Sequence, residues 1–549
     1  MYRRLFPIVC LLMGASACGT TATNSIASPP DTEIDAIEWV QCTGPGAPKA
    51  PFECGTVTVP LSYLTPDGPT IDIAVVRYPA SDPEKRSGVV LTNPGGPGAS
   101  GVDFVTWAGR ELVDSLSLDN FDIVGFDPRG VDRSGGLRCS TDEELDKFQY
   151  VDDTPDTPEE KKLFNEYEAD ESTCEDKLGK DIRFYSTENT ARDMDHIRAA
   201  MRVDSLYFVG ISYGTYLGGV YATLFPERVA AMVLDSAFDP QGDSLEEQYT
   251  TQLVGFEKAF NNWAQWCQSN KECVFRNADV RSRWDSLYNT LDASSLVSTK
   301  KRDINHRVLN TATRSALYSR DSWSTLANAL LRAEQGDGNA LLKMADQFND
   351  RNDDGTYKTS NDSFYIIRCA SGFGRKAPEN VVALVASLKE KAPWAARRIT
   401  VEDFDEDDCE DIFDNQKLFE ISYKGTGPIV VVGGEKDPAT PMRWAEEMAG
   451  NLGSNAALVR FAGEGHSQLL VSRCVDLIAS AVLVEKQLPK SSTVCDPDKP
   501  VPEPAWWKNA VQGLSGATLS PERMYPYFGL NKVDVFAEIR AIDGNATSV

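Results

Sequence analysis

Histidine is scarce in this chain. There are three in 549 residues, His196, His306 and His466. They are too scattered to show a metal-binding spacing, and the cysteines are better used in disulfides, so neither a metal nor a cofactor is expected. Basic residues are short as well, 55 Lys and Arg against 82 Asp and Glu, for a net charge of −27. That balance excludes nucleic acid, or an anionic membrane surface, as a partner held by charge. Past Met13 no apolar run is long enough to span a bilayer. The glycine-rich run Gly95-Gly96-Pro97-Gly98 lacks the lysine of a phosphate-binding loop. Internal repeats and long low-complexity segments are absent too.

What is present begins with an address. Arg3 and Arg4, the apolar stretch Leu5 to Met13, and Ala15-Ser16-Ala17 read as an export signal over residues 1–17. Cys18 then opens the mature chain, and a polar tether runs to residue 38. Cys18 resembles the lipidated cysteine of bacterial lipoproteins, although Ala15 stands where a bulky aliphatic residue is usual. The alternatives are a lipid anchor, or plain secretion with a free thiol. Ten cysteines remain once Cys10 and Cys18 are set aside: Cys42, Cys54, Cys139, Cys174, Cys267, Cys273, Cys369, Cys409, Cys474 and Cys495. An even number in an exported protein predicts disulfides, and their spacing suggests nearest-neighbour pairs.

Strand and helix signals then alternate. Phe52 to Leu61 and Thr70 to Ala80 read as a hairpin around Pro66-Asp67-Gly68. Buried strands are predicted at Gly88 to Asn93, Phe121 to Phe126, Leu206 to Val209, Val229 to Leu234, Pro428 to Gly433 and Ala456 to Phe461. Glu188 to Met201 and Val471 to Leu483 read as helices. The segment Cys139 to Lys180 reads as an irregular surface excursion. This order predicts an α/β fold, a mostly parallel sheet with helices on both faces. Between Pro240 and Lys424 no buried-strand run occurs; helices are predicted at Leu245 to Cys267, Ser315 to Glu334 and Pro378 to Lys391. The expected organisation is a core in two parts, 39–239 and 425–495, a helical lid over 240–424, and a tail over 496–549.

The chemistry centres on Gly210-Ile211-Ser212-Tyr213-Gly214, a G-x-S-x-G between a strand and a helix. So sharp a turn needs small residues two before and two after its centre. It resembles the nucleophile elbow of α/β hydrolases. A serine hydroxyl needs a base to take its proton, and imidazole suits that task near neutral pH. His196 lies in a helix and reads as a surface or packing residue. His306 lies in a charged run and reads as solvated. His466 follows the last strand on a glycine-flanked loop and is expected to be the base. Asp437, on a proline-stiffened loop after the penultimate strand, is expected to orient it; Asp235 is the rival. The order Ser212, Asp437, His466 is the order of that fold. Backbone N–H groups of Gly96 and Tyr213 are expected to meet the oxyanion. Arg129 reads mainly as a loop brace.

Taken together, Asn93-Pro-Gly-Gly-Pro-Gly98, Phe126-Asp-Pro-Arg-Gly130, Gly210-Ile-Ser-Tyr-Gly-Thr-Tyr216, Asp437-Pro-Ala-Thr-Pro441 and Gly465-His466 resemble the secreted tripeptidyl aminopeptidases of actinobacteria. These are α/β hydrolases related to prolyl aminopeptidases. The resemblance covers about Trp39 to Cys495 and implies a cell-envelope serine exopeptidase, or an esterase relative. Such an exopeptidase must bind a free α-ammonium group. Glu246, Glu247 and the acidic run Glu402 to Asp411 are the carboxylates the lid offers. The expected partner is a peptide or acyl-ester substrate, and a carboxylesterase or lipase of the envelope is the alternative.

Overall fold

The computed structural model describes residues 34–497 apart from stretches of at most five residues. The export signal, Cys18, most of the tether, the tail and most of the acidic run Glu402 to Asp411 lie outside the described residues.

The first strands are β1 (Val40–Gln41), β2 (Glu53–Pro60), β3 (Thr70–Tyr78), β4 (Gly88–Asn93) and β5 (Phe121–Phe126). Helix α1 (Gly101–Leu116) joins the last two. Short helices α2 (Asp142–Tyr150), α3 (Pro158–Glu168) and α4 (Cys174–Leu178) come next, followed by α5 (Thr187–Ala200), β6 (Leu206–Ile211), α6 (Tyr213–Leu224) and β7 (Val229–Asp235). The insertion holds α7 (Leu245–Ser269), α8 (Val280–Ala293), the short pair β8 (Leu296–Val297) and β9 (Asp303–Ile304), α9 (His306–Leu317), α10 (Trp323–Glu334), α11 (Asn339–Phe348), α12 (Ser360–Ala370) and α13 (Val381–Lys391). The chain then returns through β10 (Ile429–Lys436), α14 (Met442–Leu452), β11 (Ala456–Glu464), α15 (Arg473–Glu485) and β12 (Thr493–Cys495).

Among the described residues, ten strands form one sheet in the order β1-β2-β3-β5-β4-β6-β7-β10-β11-β12. The pairs among β1, β2, β3 and β5 are antiparallel; those from β5 through β12 are parallel. Every residue of β5 and β7 is buried, as strands covered on both faces require. Ala191, Met194 and Ile197 of α5, with Met448 of α14, pack on one face. Phe104, Ala108 and Leu112 of α1, with Val482 of α15, pack on the other. The insertion carries a separate core around Phe260, Trp263, Trp284 and Trp394, with Phe260 and Trp394 stacked at 4.5 Å.

Among the described residues, five disulfides join nearest neighbours as expected: Cys42–Cys54, Cys139–Cys174, Cys267–Cys273, Cys369–Cys409 and Cys474–Cys495. They mark an oxidising, extracytoplasmic compartment.

Three expectations need correction. The segment Cys139 to Lys180 is not irregular, since it contains α2, α3 and α4. Thr141 and Glu144 form a capping box at the start of α2, and Asp362 of α12 accepts from the backbone N–H groups of Cys139 and Ser140. The helix expected over Ser315 to Glu334 is two, α9 and α10, parted at Tyr318–Ser322. His306 is not solvated but fully buried. Its charged neighbours in sequence concealed a side chain that turns inward to meet charges from elsewhere in the chain.

Candidate active site

Ser212 stands between β6 and α6 with φ 56° and ψ −127°, a conformation that costs a non-glycine residue energy and that tertiary contacts must hold. Close packing explains the small neighbours. A Cβ on Gly210 would lie 2.4 Å from the carbonyl oxygen of Gly214, and one on Gly214 would lie 2.4 Å from that of Asn93. The loop after β4 presses on the same turn. A Cβ on Gly95 would sit 2.5 Å from the Ile211 oxygen, 3.0 Å from the Ser212 Cβ and 3.1 Å from the Tyr213 nitrogen. Gly95 and Gly96 have φ of 100° and 103°, which glycine adopts freely. The turn of the loop is held by Asn93, whose side-chain oxygen accepts from the Gly95 N–H at 3.0 Å. The loop after β4 and the start of α6 thus lie together beside the serine.

Asp437 and His466 meet as a buried pair. Nδ1 of His466 lies 3.0 and 2.9 Å from the two carboxylate oxygens. A carboxylate only accepts, so Nδ1 carries the proton. The N–H groups of Ala439 and Thr440 donate to Oδ1 at 2.9 Å each, and the Thr440 hydroxyl donates to Oδ2 at 2.9 Å. These donors fix the carboxylate, and through it the ring.

Asp235 plays another part. Its Oδ2 accepts from the N–H groups of Gln468 at 2.7 Å and Leu469 at 2.9 Å, and from the Ser467 hydroxyl at 3.0 Å. Burial pushes its carboxyl up, and those donors with His466 pull it back. Its backbone oxygen accepts the Ser212 N–H at 2.9 Å, while Ser467 N–H donates to the Ser236 hydroxyl at 2.8 Å. The end of β7 therefore clamps both the serine turn and the loop that follows the histidine. Next along, Asp476 accepts from the Leu470 N–H at 2.8 Å. Burial pushes its carboxyl up to about 7, which Leu470 and Arg473 oppose and Asp235 adds to.

The insertion sits on these loops. Gln252 of α7 donates to the Ala439 carbonyl at 2.9 Å, and a Cβ on Gly255 would be 2.7 Å from the Pro438 oxygen. Tyr318 accepts the His466 backbone N–H at 2.8 Å and sets its ring edge-on to the imidazole at 5.4 Å. Burial, with Asp437 nearby, raises the Tyr318 phenol to about 12 against the pull of Arg314. Tyr318 gave no signal in the sequence beyond being an aromatic in the insertion. The anchoring role of Asp235 was equally hidden, because a strand-end aspartate reads the same in either role.

Glu246 and Glu247 are exposed in the first turn of α7, where the Ser244 side chain caps the Glu247 N–H. Arg129 is fully buried and donates to Asp193 and to the carbonyls of Leu61, Phe184 and Pro60, so it braces the loop after β5. His196 is buried, with Nδ1 3.3 Å from the Tyr63 hydroxyl and 3.1 Å from the Arg192 carbonyl.

A strained serine at a strand–helix turn, on a mainly parallel sheet with an Asp–His pair beyond a helical insertion, defines a class of hydrolase. The chain belongs to the α/β-hydrolase family, whose model, described as alpha/beta hydrolase fold, matches residues 88–472. It is 31% identical over 478 residues to "Serine protease Hip1" of Mycobacterium tuberculosis, covering 84% of this chain and 91% of that protein. It is 33% identical over 456 residues to "Carboxylesterase B" of the same organism, covering 81% and 86%. It is 30% identical over 485 residues to "Tripeptidyl aminopeptidase" of Streptomyces lividans, covering 84% and 87%. These similarities bear out the actinobacterial serine-hydrolase resemblance.

Proposed function

We propose that the chain is an exported serine aminopeptidase in which Ser212 is the nucleophile, His466 the base and Asp437 the group that orients it. The observation that carries this reading is the way β7 ties the strained Ser212 turn to the loop of a histidine already set by a buried carboxylate. The Ser212 hydroxyl attacks a peptide carbonyl and passes its proton to Nε2 of His466. The N–H groups of Gly96 and Tyr213 meet the oxyanion, and the N-terminus of α6 adds its dipole. The imidazolium then protonates the departing amine, and water releases the acyl group as a carboxylic acid.

In this reading residues 39–239 and 425–495 are the catalytic core and 240–424 the lid. Glu246 and Glu247 bind the substrate's α-ammonium group; they lie about two helical turns before the α7 residues that touch the Asp437 loop. Residues 1–17 direct export, and Cys18 carries a lipid anchor. The intact mass of the mature protein tests the anchor, and a mass matching an unmodified thiol rejects it.

A second reading, a carboxylesterase acting on acyl esters, is favoured by the similarity to the protein named carboxylesterase B. The two share their chemistry and differ only in what the lid admits. A panel of a free tripeptide, the same tripeptide N-blocked, and an acyl ester, each bearing a chromogenic leaving group, separates them. The free tripeptide is expected to turn over fastest. Faster turnover of the blocked peptide rejects the aminopeptidase, and turnover of the ester alone selects the esterase.

A further inference from the structure

Away from the serine, His306 opens α9 inside a ring of acids. The ring is fully buried. Its Nε2 lies 2.7 Å from Oδ1 of Asp153, which also accepts, through Oδ2, from Arg398 Nε at 2.7 Å. A carboxylate so engaged holds the proton on Nε2 and leaves the lone pair on Nδ1. That nitrogen lies 3.1 Å from Oδ1 of Asp292, at the end of α8, and 3.7 Å from Oδ2 of Asp152, just after α2.

Two of these atoms are orphans. Among the described residues, His306 Nδ1 and Asp152 Oδ2 are buried and have no hydrogen-bond partner. Buried polar atoms without partners are rare enough to need a cause, and an ion is one. Here the two orphans face each other. Asp152, Asp153 and His306 each offer one ligand atom within 4.8 Å of the other two, and Asp292, outside that group, approaches through its 3.1 Å contact with Nδ1. Neighbouring ligands around a tetrahedral zinc ion, bonded at about 2.0–2.1 Å, stand about 3.3 Å apart. The separations of 3.1 and 3.7 Å about Nδ1 bracket that value.

We propose that Nδ1 of His306, Oδ2 of Asp152 and Oδ1 of Asp292 bind a divalent transition-metal ion of the zinc type. Asp153 is the outer partner. It receives the other ring N–H and fixes the tautomer, as a carboxylate behind a metal-bound histidine does. Imidazole favours zinc over calcium or magnesium, which prefer oxygen alone. Three carboxylates approach one ring, while the Arg398 guanidinium is directed to Asp153 and that of Arg307 donates to the carbonyls of Val151 and Phe148. Asp152 and Asp292 are left to meet a cation. Thr154 stiffens the site, its N–H donating to Asp152 Oδ1 at 2.9 Å and its hydroxyl to Asp292 Oδ1 at 2.5 Å. The ion ties the strap after α2 to two insertion helices, a junction no disulfide spans among the described residues. Ligands at positions 152, 292 and 306 share no short motif, which is why the sequence showed no metal site.

The test uses tag-free, full-length protein, dialysed against chelator and titrated with zinc chloride by calorimetry and thermal melting. One equivalent is expected to bind, and a hundredfold excess over Kd to raise Tm by about 3 °C. Asp152→Asn and Asp292→Asn are expected to abolish the stoichiometric heat and the Tm shift while keeping the native circular dichroism. Asp292 is partly exposed, so its variant stays informative if the Asp152 variant fails to fold. No saturable zinc binding, an unaltered response in Asp292→Asn, or an equal response to calcium each overturns the proposal.

Discussion

His466 presents Nδ1 to one carboxylate, Asp437, while His306 meets carboxylates on both ring nitrogens, Asp153 on one side and Asp292 and Asp152 on the other. Both rings are buried. The number and placement of acids separates their chemistry. A carboxylate on Nδ1 alone selects one tautomer and supports the imidazolium that forms when Nε2 takes a proton. Carboxylates at both nitrogens leave no edge from which a proton can be passed to a substrate. Such a ring can serve as a ligand, not as a shuttle. Burial and acidic company do not make a general base; which nitrogen the acid occupies does.

Removing each acid–histidine contact in turn should break that contrast if it is wrong. Ser212→Ala or His466→Ala is expected to lower kcat by about 10⁶-fold, and Asp437→Asn by about 10⁴-fold, with the fold intact by circular dichroism. His306→Gln should instead destabilise by about 1–3 kcal/mol in urea melts, with kcat of the folded enzyme falling less than tenfold. A collapse of kcat in His306→Gln would erase the distinction. The loop beside the serine comes next. Gly95→Ala forces a methyl group against the Ser212 turn, and kcat should fall about 10²- to 10³-fold with KM little changed, as for a lost oxyanion donor.

A pH experiment sharpens the comparison from the side of Asp476, which holds the loop behind His466. Its folded-state carboxyl titrates near 7 and its unfolded one near 3.8. The folded protein therefore holds the proton more tightly between those values. The stabilisation is complete below pH 4 and is lost as pH rises through 7. Wild-type stability should drop by about 2 kcal/mol between pH 5 and pH 8 through this group, and Asp476→Asn should flatten the slope. A parallel slope in the variant would remove Asp476 as its cause. Smallest is the effect expected in the insertion. Glu246→Gln with Glu247→Gln is expected to raise KM for a free tripeptide about three- to tenfold and leave an acyl ester unchanged, as for an exposed charge contact.

The hydrolase half of the molecule was legible because parallel strands buried on both faces are written as unbroken apolar runs. Gly88 to Asn93 and Val229 to Leu234 could hardly be anything else. The exit loops of these and the other parallel strands carry Gly95, Ser212, Asp437 and His466, so placing the strands placed the candidate site. The insertion was less legible because helical periodicity says which face is apolar but not where a helix stops. Ser315 to Glu334 read as one helix because the interruption at Tyr318–Ser322 answers a tertiary demand, a carbonyl for the His466 N–H. His306 was misread for a related reason. The acids that surround it come from 154 and 153 residues away, at Asp152 and Asp153, and from Asp292, 14 residues away, and no local pattern announces them.

The interruption at Tyr318 has an effect on how such an enzyme can diversify. One backbone oxygen of the insertion is bonded to the backbone of His466, the base of the proposed mechanism, and in that reading the insertion also meets the bulk of a substrate. A guest that displaces this segment drags the imidazole out of register. Selectivity and turnover are therefore yoked at a single amide, and lid variants with a new preference should give up speed until that amide settles again.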